Sequence, residues 1–412
     1  VDEVNPPPVA WKSRWILCPE RGALEDRYLV SQRHRLCQDP VRGDDSTVEK
    51  TNDFGDAIIL PMPVNAHVHL DLSAFDEPIQ VEGNFTDWLT RVVEHRRLAG
   101  VDSALAIKRG IDQLVTAGTR LVGDILASPA VDFGPYSNQL AGTIYREVIG
   151  LKPERFGPLL SNISSLPTTI GDAQIGVSPH APYSTQQAVY QSTVGHRPRA
   201  THWFETREER EFLLTGEGIF QDFLERIGAW PSDWKPAVDP WRELLVGNRW
   251  TLIHANYLSE SDLEFLASPI GRQTARAVVY CPRTHAHFGH SPHSAPELLR
   301  MGVPVGLGTD SLASNPDLDV WKEARWLADH HPSLSPREIF QMATWHGGTS
   351  IGRGDLGRLQ EGALACLWVI EPDQGLRSRP WEAIFDPRSK LLGIVYRGEW
   401  IATDSRFGEV AL

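Results

Sequence analysis

Between residues 59 and 309, short apolar runs alternate with segments whose apolar residues recur at helical spacing. The runs are ILPMPVNA (59–66), TRLVGD (119–124), GTIYREVI (142–149), QIGVSP (174–179), RATHWF (199–204), RWTLIHA (249–255), ARAVVY (275–280) and GVPVGLGT (302–309). Runs this short, bounded by turn residues, read as buried strands. Between them, TDWLTRVVEHRRLAG (86–100) places Trp88, Leu89, Val92 and Val93 on one helical face and stops at Gly100. SALAIKRGIDQLVTAG (103–118) repeats the plan, with Ser103 as cap and Gly118 as stop. Ser261 with Glu264, and Ser335 with Pro336 and Glu338, have the spacing of capping-box helix starts. Eight strands alternating with helices predict the α/β class, a (β/α)8 TIM barrel over residues 61–355.

The chain ends follow another pattern. WILC (15–18) and AIIL (57–60) flank a polar connection, RGDDSTVEK (42–50), with no helix-length periodicity. ACLWVI (365–370), LLGIVYRG (391–398) and EWIAT (399–403) are β-branched and aromatic runs split by turns. Residues 1–60 and 356–412 are therefore expected to form one small β-sandwich domain.

Composition narrows the function classes. Net charge is −13, and basic and acidic residues intermingle, as in TREERE (206–211), so no basic patch for nucleic acid is present. No run approaches the ~20 apolar residues of a membrane span. VDEVNPPPVAWKSR lacks the order of a signal peptide. Cys18, Cys37, Cys281 and Cys366 are too scattered for a disulfide framework or a CxxC metal site. Reduced thiols and a cytoplasmic protein are the expectation.

A barrel concentrates its chemistry at the C-terminal ends of its strands. Those ends carry His67 and His69, Asp124, Glu147, His180, His202, His254, Cys281 with His285, and Asp310. With 15 histidines in 412 residues, so many histidine-tipped strands argue for a site. In His67-Val-His69 the two imidazoles stand at i and i+2, on one strand face. Glu205 follows His202 by three residues, in THWFE, and can relay protons beside a ligand. Glu208 and Glu209 read as solvated charges. His254 in LIHAN is either a ligand or a hydrogen-bond donor to water or substrate. Asp310 in GLGTDS can ligate, accept a water's proton and cap DSLASN. Three imidazoles and a carboxylate suit one divalent ion, zinc or iron(II).

These motifs resemble the amidohydrolase superfamily. PMPVNAHVHL is similar to its opening, and GVSPHAPYS, THWFETREE, LIHAN, VVYCP, GVPVGLGTDSLASN, QMATWHGG and LGRLQEGALACLWVI follow in its order. The single-metal branch of deaminases and triazine chlorohydrolases fits best, because no lysine stands at the fourth strand's end. The resemblance implies His67, His69, His202 and Asp310 as metal ligands. It implies Glu205, His254 and Asp310 as catalytic groups, and His180 as a sugar contact. NAHVHLDLSAF with NFTDWLTRVVEHRR further resembles the aminodeoxyfutalosine deaminases of the alternative menaquinone pathway. The implied reaction is hydrolytic release of ammonia from the aminopurine of a nucleoside. The alternatives are deamination of adenosylhomocysteine or methylthioadenosine, or hydrolysis of another C–N or C–Cl bond on a heteroaromatic ring. Trp88, His180, Arg146, Glu147, Arg283, His285, Ser314 and Asn315 are the expected substrate contacts. A homodimer is the family's common form, and the sequence leaves oligomeric state open.

Three departures stand out: Pro61-Met62 for Pro-Gly, Cys281-Pro282-Arg283-Thr284-His285 for CPxSN, and Ala365-Cys366-Leu367 for ADL. The second heads CPRTHAHFGHSPH (281–293), which holds His285, His287, His290 and His293. The expectation there is substrate recognition by Arg283, His285 or His287, not metal binding. A binding protein on an inactive barrel would have lost a ligand or the proton relay, and every one of them is present.

Overall fold

The computed structural model describes residues 6–41, 48–98, 103–128, 133–192, 197–231, 234–245 and 249–403. Eight strands from the middle of the chain run parallel to one another and carry the labels β1 to β8 below. They are β1 (Val64–Val68), β2 (Leu121–Leu126), β3 (Ala141–Val148), β4 (Ala173–Pro179), β5 (Ala200–Trp203), β6 (Trp250–His254), β7 (Ala275–Tyr280) and β8 (Val305–Leu307). β1 to β4 pair in sequence order, and so do β5 to β8. A parallel bridge between Val177 and Arg199 links β4 to β5, and one between Val68 and Asp310 links β1 to the end of β8. Every residue of β1, β2, β3, β6 and β8 is buried, as expected of parallel strands covered on both faces.

Residues from both chain ends meet in one further sheet. Ile58–Pro61 lies between Val9–Cys18, to which it is parallel, and Leu367–Glu371, to which it is antiparallel. Among the described residues this is a single eight-stranded sheet, where the sequence pattern had implied a two-sheet sandwich. The run ILPMPVNA is likewise two strands. Ile58–Pro61 belongs to the terminal sheet and Val64–Val68 is β1. A proline has no N–H for a ladder, so Pro61 and Pro63 mark where the chain changes sheets. Strand alternation then serves two cores at once: Ile59 packs with Trp11, Leu29 and Val369, while Ile58 and Leu60 face the large core that the parallel strands share.

The helices over Phe85–Leu98 and Ser103–Thr116 occur where periodicity placed them. Gly118 adopts φ +76°, a left-handed stop that favours glycine, and Gly100 lies outside the described residues. The Ser335–Glu338 capping box forms. The other box is Ser259 with Asp262, not Ser261 with Glu264, so that helix starts at Glu260. Both pairings have the same spacing. Arg210 and Trp241 also bind Asp262, and that tertiary support selects it. Among the described residues no helix is long and apolar enough to cross a membrane.

Candidate active site

Because β1 to β8 run in one direction, their C-terminal ends open on one side. There a cavity of about 430 Å³ is lined by His69, His180, His202, Glu205, His254 and Asp310 among others. Two groups of possible ligands overlap at His67: His67, His69 and His202, and His67, His254 and Asp310, with donor atoms within 4.8 Å of one another in each. A third group, Glu147, His180 and His202, adjoins them. Gly308 permits the close approach of β8 to β1, since a Cβ there would sit 2.7 Å from the Cβ of His67.

Local backbone is shaped for this convergence. Phe204, His254, Ala255 and Asp310 all take positive φ, between 46° and 65°. Non-glycine residues in that region are uncommon and cluster at functional sites. Each lies just past β5 or β8, or ends or follows β6, so the strain sits where side chains are redirected inward.

The donor set fits a divalent ion. The Nδ1–H of His202 donates to the carbonyl of His180 at 2.9 Å, which leaves the lone pair on Nε2, 3.3 Å from His69 Nε2. His67 is fully buried and neither of its ring nitrogens makes a hydrogen bond; its Nε2 lies 3.4 Å from Asp310 Oδ1. Buried imidazoles with unmet nitrogens call for a partner. Burial, with neighbouring histidines, pushes the imidazoles of His69, His180 and His254 well below 6.5, and His202 down to about 4. The shift favours the neutral imidazole, the form that ligation by His69 and His202 requires.

Glu205 is 7% exposed, and its Oε1 lies 3.5 Å from His254 Nε2. Burial, then Asp310 and Glu209, raise its carboxyl well above 4.5. Glu209 is not a solvated charge. It is fully buried, and its carboxylate accepts the Glu205 backbone N–H at 2.7 Å, while Thr206 caps the helix Arg207–Thr215. The capping spacing of Thr206 and Glu209 was the available signal. Asn256 also donates to the Glu205 carbonyl, at 3.0 Å.

Of the expected substrate contacts, Trp88, Glu147 and His180 line the cavity; Arg146, Arg283, His285, Ser314 and Asn315 do not. Arg283 is spent on ion pairs with Glu323 at 2.6 Å and Asp317 at 2.8 Å. Ser314 donates to Asp310 Oδ2 at 3.0 Å, and Asn315 donates to Glu323 and the Thr309 carbonyl. These three residues brace the end of β8 from behind. Arg146 donates to the Ser128 carbonyl. His287 donates to the Ile79 carbonyl at 2.9 Å, and none of Arg283, His285 and His287, the expected readers of substrate, lines this cavity. The stretch is also helical over Pro282–His287. The wall that sequence reasoning missed comes from Phe85, Leu89, Val92, Arg96, Tyr183 and Phe223. Helical periodicity marked Leu89 and Val92 as apolar, without saying that they face a cavity.

Residues 176–401 match the model of the "Amidohydrolase family". An aminodeoxyfutalosine deaminase of Deinococcus radiodurans is 31% identical over 322 residues, 72% of this chain and 74% of the relative. A 5-methylthioadenosine/S-adenosylhomocysteine deaminase of Syntrophobacter fumaroxidans is 27% identical over 84% of this chain and 79% of its own length. The crystal structure of Helicobacter pylori aminofutalosine deaminase in complex with methylthio-coformycin superposes with a TM-score of 0.80 at 19% identity, covering 95% of this chain and 99% of that one. With the histidines and aspartate gathered at the strand ends, and with more than half of its length matched, the chain belongs to the amidohydrolase family.

Proposed function

We propose that the protein is a metal-dependent hydrolytic deaminase that releases ammonia from the aminopurine of a nucleoside, with aminodeoxyfutalosine as the leading substrate. The observation that carries this reading is the Glu205–His254 pair, 3.5 Å apart beside the three-histidine, one-aspartate set, of which His69, His202 and Asp310 line the cavity. His67, His69, His202 and Asp310 would hold one ion, zinc or iron(II). When bound, that ion makes water nucleophilic near neutral pH. Asp310 accepts the proton of the attacking water. Glu205, whose carboxyl burial raises well above 4.5, gives its proton to the ring nitrogen, then takes the proton of the oxygen added at the ring carbon and passes it to the departing amine, and the proton held by Asp310 returns to Glu205. His254 steadies the oxygen added at the ring carbon. The C–N bond breaks, and amine plus water become carbonyl plus ammonia.

The cavity wall fits a nucleoside with an apolar extension. Phe85, Trp88, Leu89 and Phe223 present flat or aliphatic surface, and Glu147 and His180 on the same wall would bind the sugar hydroxyls. The parallel strands and their two bridges are read as a closed (β/α)8 barrel beginning near Pro61 and ending near residue 355. The described cysteines are all unpaired, in keeping with a cytoplasmic enzyme. A second reading, deamination of 5-methylthioadenosine or S-adenosylhomocysteine, is favoured by the relative named for it.

The test is ammonia release over aminodeoxyfutalosine, methylthioadenosine, adenosylhomocysteine and adenosine, with metal content measured on the same preparation. Turnover of none of them by metal-loaded protein would sink both readings. Glu205→Gln should keep its metal and lose ~10²- to 10⁴-fold in kcat, the usual worth of a positioned general acid–base.

A further inference from the structure

The histidine-rich stretch after β7 lies outside the cavity, yet one of its rings supports the site from behind. His293 is 4% exposed, and its Nε2 lies 2.8 Å from the carbonyl oxygen of His254. A carbonyl only accepts, so the proton is on Nε2 and His293 is the donor. The His293 ring stacks on Tyr280, with centroids 4.0 Å apart and planes 11° apart, which fixes the direction of that N–H.

The carbonyl it holds belongs to a strained turn. His254 has φ +65° and Ala255 φ +51°. The Ala255 N–H reaches back to the Ile253 carbonyl at 3.0 Å and across to the Trp203 carbonyl at 2.9 Å. A three-residue turn with positive φ at its centre is the rare, strained form, and it persists only where its surroundings over-determine it. In this turn the His254 ring faces Glu205 and lies 5.4 Å, centroid to centroid, from the rings of His67 and His202.

We propose that His293 is a positioning residue. Its N–H holds the His254 carbonyl, and with it the left-handed turn that aims the His254 imidazole at Glu205. The kinetic consequence rests on the deaminase reading; the geometric consequence does not. His293→Phe keeps a flat ring for Tyr280 and loses the donor. His293→Gln places an amide N–H near the position of Nε2, and His293→Asn falls short of it.

His293→Phe should retain its metal content and a KM within about twofold, while kcat falls ~10- to 100-fold, the usual cost of removing a partner that orients an active-site group. His293→Gln should recover most of that loss, and a merely structural role would not follow the donor in this way. In the crystal structure of His293→Phe, the His254–Glu205 separation should exceed 3.5 Å and the turn should relax. An unchanged turn and separation, or a kcat within about threefold of wild type, would overturn the proposal. If His293→Phe fails to fold, the same comparison of Gln with Asn decides it. If the wild type turns over no nucleoside, the deaminase reading falls, and the crystal structures still settle the role of His293.

Discussion

Glu147→Gln separates the cost of burying a carboxyl from its use. Glu147, the last but one residue of β3, is 4% exposed, its Oε1 lacks a hydrogen bond, and His180 Nε2 is 4.0 Å away. Burial raises its carboxyl from 4.5 to about 8; Arg96 and Arg146 offset part of this, and Asp71 and Asp124 add to it. A carboxyl whose folded pKa exceeds its unfolded one takes up a proton on folding. Its contribution is fully present below the unfolded value and is lost as pH rises through the folded value. At about 1.4 kcal/mol per unit, the cost of this group is ~1 kcal/mol at pH 5 and ~3 kcal/mol at pH 7. Glutamine does not titrate, and an unmet amide costs the same at both pH values. Urea unfolding of chelator-treated wild type and variant should therefore show the variant gaining ~2 kcal/mol on the wild type between pH 5 and pH 7. Parallel pH dependences in the two proteins would mean that Glu147 is ionised normally in the folded state, and the argument from burial would fail.

His69→Ala should lose metal and turnover together, measured by elemental analysis and ammonia release, because its Nε2 lies 3.3 Å from that of His202 in the ligand cluster. Gly308→Ala should destabilise by ~1–3 kcal/mol in thermal or urea melts and weaken metal binding, since its Cβ meets the Cβ of His67 at 2.7 Å and the backbone N and O at 2.9 Å. Arg283→Ala strands the fully buried Glu323 without its cation and should cost ~3–5 kcal/mol in urea unfolding. Any folded fraction should keep its KM, because Arg283 does not line the cavity.

The parallel strands were legible because both of their faces are buried, so each reads as an unbroken apolar run. Strand tips were legible for a related reason: a histidine or aspartate closing such a run stands out against it. What joins strands was less visible. Nothing in ILPMPVNA separates Ile59, which packs with Trp11, from Val64, which packs in the large core, except two prolines that also fit a single strand start. The helix at Glu260 could be capped from Ser259 or Ser261 by spacing alone, and only Arg210 and Trp241, distant in sequence, decide between them.

Cavity residues were the hardest to read, because a polar side chain near a site becomes available only if its own bonding demand is unmet. Arg283 follows β7 and offers five donors, which made it a reader of substrate in the sequence. Glu323 and Asp317, from the chain 34 to 40 positions later, fill the guanidinium and turn it into a brace for the end of β8. His287 is spent in the same way on Ile79, 208 positions earlier in the chain. Glu147 shows the reverse: its neighbours in GTIYREVI are those of a buried strand, yet Oε1 accepts no hydrogen bond and the residue lines the cavity. Type and strand position therefore pick out the candidate metal ligands, whose donor atoms converge on a shared point. Substrate contacts depend on which long-range pairs have already been made, and that accounting exists only in the folded chain.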